Sequence, residues 1–220
     1  MTTWKDASVL SERERRWVHG LATIGGVGIG LNVLMLIVVP FLRRDVDVMQ
    51  DGLSHYAVGP WSDVQAAGFV ALALGAAALG GALLLAAEAG WTRLGGVLLM
   101  GAALGFLGLG VFPMGQGGPT TFIGDLHLTA GTIGIVLQFA GLLCVLVHPS
   151  VRTGDRLPRR FGLAVAAVAI VAAAMIQLAI WNPTWPIPEG LMIRLVIGPL
   201  LVWWAVVAVM LRREPTAISG

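Results

Sequence analysis

The amino-acid sequence predicts an all-α fold of the membrane class: a polytopic helical bundle of six transmembrane helices with both termini cytoplasmic. Three observations lead there. Only 12% of the 220 residues are charged, whereas a soluble globular domain carries about 25%. Hydrophobic residues make up 57%, and the mean hydropathy is +0.85. The apolar residues also run in long blocks, and a helix of about 20 residues is enough to cross a hydrocarbon layer roughly 30 Å thick.

Six blocks follow one another, at 18–42, 64–87, 94–111, 126–147, 161–181 and 191–211. Each is rich in Leu, Ala, Val and Gly, and none alternates as a barrel strand does. Helices are then the spanning form, because lipid offers no partner to free backbone groups. The first block is too long for a signal-peptide core and lacks a small-residue cleavage site, so it is expected to stay as a helix. Ahead of it, Lys5, Arg13, Arg15 and Arg16 mix with Glu12 and Glu14, as in a short surface helix or a solvated tail. The chain divides into a cytoplasmic segment (1–17), one six-helix domain (18–211) and a cytoplasmic tail (212–220). The linker at 149–160 separates four helices from two without a shift in composition.

With the N-terminus inside, eleven of the 14 Lys and Arg lie on the cytoplasmic side. Arg43 and Arg44 lie outside, and Arg194 lies within the last span. That bias places both termini in the cytoplasm of a multi-pass protein of the cell membrane. The net charge of +2 therefore reflects topology. The basic residues are scattered and carry no interleaved aromatics, so nucleic acid is not an expected partner. Membrane lipids are, and a membrane-protein partner is a further option. The single cysteine, Cys144, falls inside a span, where it forms no intrachain disulfide and reads as small apolar filler.

Within the spans, the pairs Gly26/Gly30 and Gly101/Gly105 have the spacing that lets helix backbones approach, and intramolecular packing is the expected use. Asn32, Gln138 and Gln177 read as interhelical glue. Glu88, Arg93, His19 and His148 read as groups at the inner membrane edge. No span is expected to carry a central charge or a Gly/Pro break at mid-depth, and no inverted repeat is visible, so a translocating transporter is a weaker reading than a binder.

The opposite edge is richer. The connection at 43–62 is longer than two helices need, and its apolar-aromatic run at 53–61 is expected to pack back over the bundle. Ser54, His55 and Tyr56 lie in that run, Asp125 and His127 open the fourth span, Glu189 precedes the sixth, and Arg194 follows one turn later. Singly, Asp125 reads as a helix N-cap, Glu189 as a carboxylate complementing a helix dipole, and His127 as a buried histidine bonded to a neighbour. Arg194 requires a carboxylate or a polar cavity at that depth, with Glu189 or Asp125 the nearest candidates. Together these seven residues are expected to form one extracytoplasmic polar pocket.

The run Leu53-Ser54-His55-Tyr56-Ala57-Val58-Gly59, the third span ending Gly110-Val111-Phe112-Pro113, the fourth opening with His127 and the stretch from Glu189 to Arg194 carry a resemblance. They resemble the bacterial six-helix membrane family catalogued as domain of unknown function 998, over about residues 18–212. The chain departs from that pattern at Met114, where a polar or acidic residue is expected after Phe-Pro. The resemblance implies a fold and a membrane location and supplies no activity.

Three functions remain open on the residues. In the first, the pocket binds a lipid headgroup or small amphiphile in a transport, sensing or accessory role, with Arg194 on an anionic group. In the second, His55, His127 and Asp125 hold zinc in an integral-membrane hydrolase acting on a lipid-like substrate, with Glu189 or Ser54 handling protons. That arrangement resembles the alkaline-ceramidase-related hydrolases only loosely, since their paired late-helix histidines are absent. In the third, and weakest, His55 with His127 and His19 with His148 ligate haem.

Overall fold

The computed structural model describes residues 10–87, 90–115, 121–147, 156–182, 184–185 and 187–213. Six long helices run through them: α1 (Glu12–Leu42), α2 (Ser62–Ala86), α3 (Trp91–Val111), α4 (Phe122–Val147), α5 (Arg156–Trp181) and α6 (Glu189–Arg212). A single 3-10 turn, Leu53–Ala57, interrupts the connection from α1 to α2. Each long helix contains a stretch apolar enough to cross a membrane. Large apolar side chains such as Ile24, Leu74, Leu104, Val136 and Ile170 stand exposed along them, as lipid-facing surfaces require.

α1 begins six residues before the apolar block, and its first turn is helix rather than solvated tail. Ser11 Oγ accepts from Glu14 N at 3.3 Å, and Glu14 Oε2 accepts from Ser11 N at 2.9 Å, a reciprocal cap that satisfies two end donors. The 31-residue helix is therefore about 46 Å long at ~1.5 Å per residue. It outruns the hydrocarbon layer and carries the exposed Arg13, Arg15 and Arg16 beyond it.

Successive helices pack antiparallel, and glycine sets how closely. A Cβ added at Gly75 would lie 3.0 Å from Gly25 O, and one added at Gly105 would lie 2.5 Å from Ala130 O. The α1 contact with α2 runs through Gly25 and Gly28. It does not use the expected pair, since Gly30 meets nothing within 4 Å and Gly26 meets only Ala208 at 3.6 Å. That Gly26–Ala208 approach, together with α6's start beside the α1–α2 loop, makes α1 and α6 antiparallel and closes the bundle. Asn32 adds an α1–α2 tie, its Nδ2 donating to Gly68 O at 3.0 Å. Gln177 instead is exposed, so among the described residues it ties no helix pair.

The core gathers Leu79, Leu83, Leu99, Leu142, Leu200 and Trp204, all 1% exposed or less. Pro199 lies in the middle of α6, in keeping with the expectation of no Gly/Pro break at mid-depth. The helix continues through it with no irregular break.

Candidate functional site

The connection from α1 to α2 folds back across one end of the bundle, and three sets of side-chain contacts hold it there, beside a backbone bond from Leu191 N to Met49 O at 3.1 Å. Its own turns form first. Asp47 Oδ1 accepts from Met49 N at 2.7 Å and Gln50 N at 3.2 Å, while Asp51 Oδ2 accepts from Asp47 N at 2.7 Å. This is the local side-chain capping that aspartate brings to turns. Gly59 and Trp61, both with positive φ (75° and 63°), then turn the chain into α2.

The first contact is Arg43, at the end of α1 and 6% exposed. Its Nε and Nη2 donate to the two Asp45 carboxylate oxygens at 2.9 and 2.7 Å. Nη1 donates to the carbonyls of Val58 and of Pro60, the latter at 3.1 Å. The Asp45 bond raises the Arg43 pKa and holds the Asp45 carboxyl below its ordinary value. Arg43 is therefore a charge-neutralised bolt between the start and end of the loop.

The second contact is Arg194, half-buried on the second turn of α6. It donates to Gly190 O at 2.8 Å and Asp51 O at 3.2 Å, and reaches the Tyr56 hydroxyl at 3.4 Å. Its guanidinium also lies 5.8 Å from the Tyr56 ring centroid, within cation–π range. Neither expected carboxylate holds it. Glu189 and Asp125 are both exposed, and among the described residues no ion pair reaches Arg194. Tyr56 itself is 1% exposed, and burial pushes its phenol pKa up.

The third contact joins Ser54 to His127. The His127 ring, fully buried on α4, has Nδ1 at 2.7 Å from the Phe112 carbonyl and Nε2 at 2.9 Å from Ser54 Oγ. A carbonyl only accepts, so Nδ1 carries the proton, Nε2 of the neutral ring is the acceptor, and the Ser54 hydroxyl donates to it. Phe69 of α2 meets the ring edge-on at 6.3 Å. One turn before Phe69, on the same face of α2, Gln65 is 0% exposed, and its amide nitrogen and oxygen have no hydrogen-bond partner among the described residues.

The seven expected residues thus resolve into two pairs, Ser54–His127 and Tyr56–Arg194, with three residues outside them. His55 is exposed, its Nδ1 3.2 Å from Gly52 O. Asp125 lies in the first turn of α4 rather than at its cap, a place taken by Thr121, whose Oγ1 accepts from Gly124 N at 3.1 Å. Both His127 nitrogens lie within hydrogen-bond distance of protein atoms. Among the described residues no three His, Cys, Asp or Glu gather as metal ligands. His148 of the haem reading, and Glu88, lie outside the described residues. Sequence reasoning missed Arg43 and Gln65. The signals were present: an arginine two residues before an aspartate at a span end, and an amide in the first turn of an apolar helix.

The family described as protein of unknown function DUF998 matches residues 9–210. No curated protein and no solved structure matches the chain.

Proposed function

Because the chain belongs to the membrane family of unknown function DUF998, whose description carries no activity, we propose a function from the loop end itself: it binds the anionic headgroup of an amphiphile through Arg194. The observation that carries this reading is the contrast between two arginines that hold the α1–α2 connection, Arg43 at the end of α1 and Arg194 on α6. Arg43 is buried and neutralised by a bidentate aspartate. Arg194 is half-buried and held by two carbonyls and a phenol, all of them neutral.

Those neutral partners aim the guanidinium without cancelling its charge. They engage three of its five donors, and the longest of the three contacts is 3.4 Å. A planar, uncancelled guanidinium in the second turn of a spanning helix is within reach of lipid headgroups and matches a phosphate or carboxylate in a two-pronged geometry. The Tyr56 phenol adds a hydroxyl beside it. The positive-inside bias supports a cell-membrane protein with this end outside the cytoplasm, so the amphiphile is drawn from the outer leaflet. A sensing, accessory or transport role is compatible with such binding.

Native mass spectrometry of the full chain released from nanodiscs tests the proposal. With phosphatidylglycerol mixed into uncharged diacylglycerol, the wild type is expected to retain phosphatidylglycerol. Arg194→Lys should retain less, and Arg194→Gln none while still folded, with only a small fall in melting temperature. Equal retention by Arg194→Gln would remove the reading.

A further inference from the structure

We propose that Ser54 is a nucleophile for acyl transfer, with His127 as its general base and a carboxylic ester at the membrane interface as its substrate. The inference goes beyond anion binding and does not rest on Arg194. It starts from the direction of the hydrogen bonds. The Phe112 carbonyl fixes the proton on Nδ1, so Nε2 faces the Ser54 hydroxyl as an acceptor at 2.9 Å, within the reach a general base needs. Many serine–histidine contacts merely satisfy two polar groups. Here the histidine is 0% exposed while the serine is only partly buried. The base is thus shielded from bulk water, and the nucleophile remains reachable.

Rigidity and depth agree with that role. The 3-10 turn bearing Ser54 is pinned on one side by Arg43 through Val58 and Pro60 and on the other by Arg194 through Tyr56. His127 is the sixth residue of α4, about 8 Å along the helix axis from its first residue at ~1.5 Å per residue. That depth lies near the boundary between hydrocarbon and headgroups, where the ester carbonyls of glycerolipids reside.

The step balances without a co-reactant beyond water. Ser54 Oγ bonds to the ester carbonyl carbon as its proton passes to Nε2, and the carbonyl oxygen becomes an alkoxide. Collapse re-forms the carbonyl and breaks the bond to the alcohol oxygen, which leaves with the proton from Nε2. The acyl group is then on Ser54. A water whose proton goes to Nε2 attacks the same carbon and releases the carboxylic acid, returning the proton to Ser54.

The test is covalent labelling of the full chain in nanodiscs with a fluorophosphonate, followed by peptide mapping. Expected is a single phosphonylated peptide containing Ser54, lost in Ser54→Ala and slowed about 100-fold or more in His127→Gln. Should His127→Gln fail to fold, Ser54→Ala, which removes one hydroxyl, carries the test alone. An unlabelled but folded wild type, or labelling that survives in Ser54→Ala, would overturn the proposal.

Discussion

Arg43 and Arg194 have the same side chain and different electrostatic surroundings, and they should respond differently to removal. Arg43→Ala deletes two charge-assisted bonds to loop carbonyls as well as the aspartate pair, and is expected to cost on the order of 2–3 kcal/mol. Arg194→Gln, at a half-exposed site without an ion pair, should cost only about 1 kcal/mol. Reversible unfolding in detergent measures both, and an equal or inverted ranking would contradict the charge-neutralised bolt. The Arg43 clasp should also be acid-labile. Because the Arg43 bond lowers the Asp45 pKa in the folded protein, its contribution is complete above the ordinary value of about 3.9. It is lost as pH falls through the lower folded-state value. Asp45→Asn should flatten that acid-side fall in melting temperature, and an unchanged pH profile would disconnect the clasp from stability. The sequence singled out Arg194 because a charge inside an apolar block is conspicuous. Arg43 escaped because a basic residue at a span end looks like a topology signal. Ser54 and His127 were both visible as reactive types. Their pairing was not, since it depends on a backbone carbonyl at Phe112 that no side-chain pattern reveals.

At the scale of elements, apolar blocks of 18 or more residues located all six helices, because spanning length is a property of composition. Helix ends and helix faces were less readable. α1 starts at Glu12 because Ser11 and Glu14 cap it, a signature that lay outside the apolar block. The glycine spacing named Gly26/Gly30, whereas the chain packs through Gly25 and Gly28. Spacing fixes only which residues share a face, and the partner helix chooses among adjacent faces. Substitution separates the two cases. A Cβ at Gly105 would press on Ala130 O at 2.5 Å and on the Gly134 backbone at 2.6 Å, so Gly105→Ala should destabilise by about 1–3 kcal/mol through forced helix separation. Gly30→Ala meets nothing within 4 Å and should be neutral or stabilising by up to about 1 kcal/mol, the helix propensity difference. Thermal unfolding of the two variants compares them directly, and a neutral Gly105→Ala would mean that α3 and α4 are not held at this distance.

At the scale of the whole molecule, the antiparallel contact of α1 with α6 puts the first turn of α1 and the last turn of α6 at one end of the bundle. The exposed Arg13, Arg15, Arg16, Arg212 and Arg213 therefore share that end. At the opposite end Arg43 is neutralised by Asp45, and Asp47, Asp51, Asp125 and Glu189 surround the loop with carboxylates. Arg43 and Asp45 cancel each other at the loop end, so the net negative charge there comes from the remaining carboxylates. Translocation of the basic end is costly and of the acidic end is not, so the loop end should face outward. Two reporter cysteines decide it in a Cys144→Ala background, the native thiol being buried. Met49→Cys, at a position 46% exposed in the loop, should react with a membrane-impermeant maleimide added to intact cells. Arg213→Cys, exposed beyond α6, should react only after the membrane is permeabilised. The inverse labelling pattern would place the Ser54–His127 and Tyr56–Arg194 pairs at the cytoplasmic leaflet. Their chemistry would be unchanged, but the amphiphile they meet would then come from the inner leaflet.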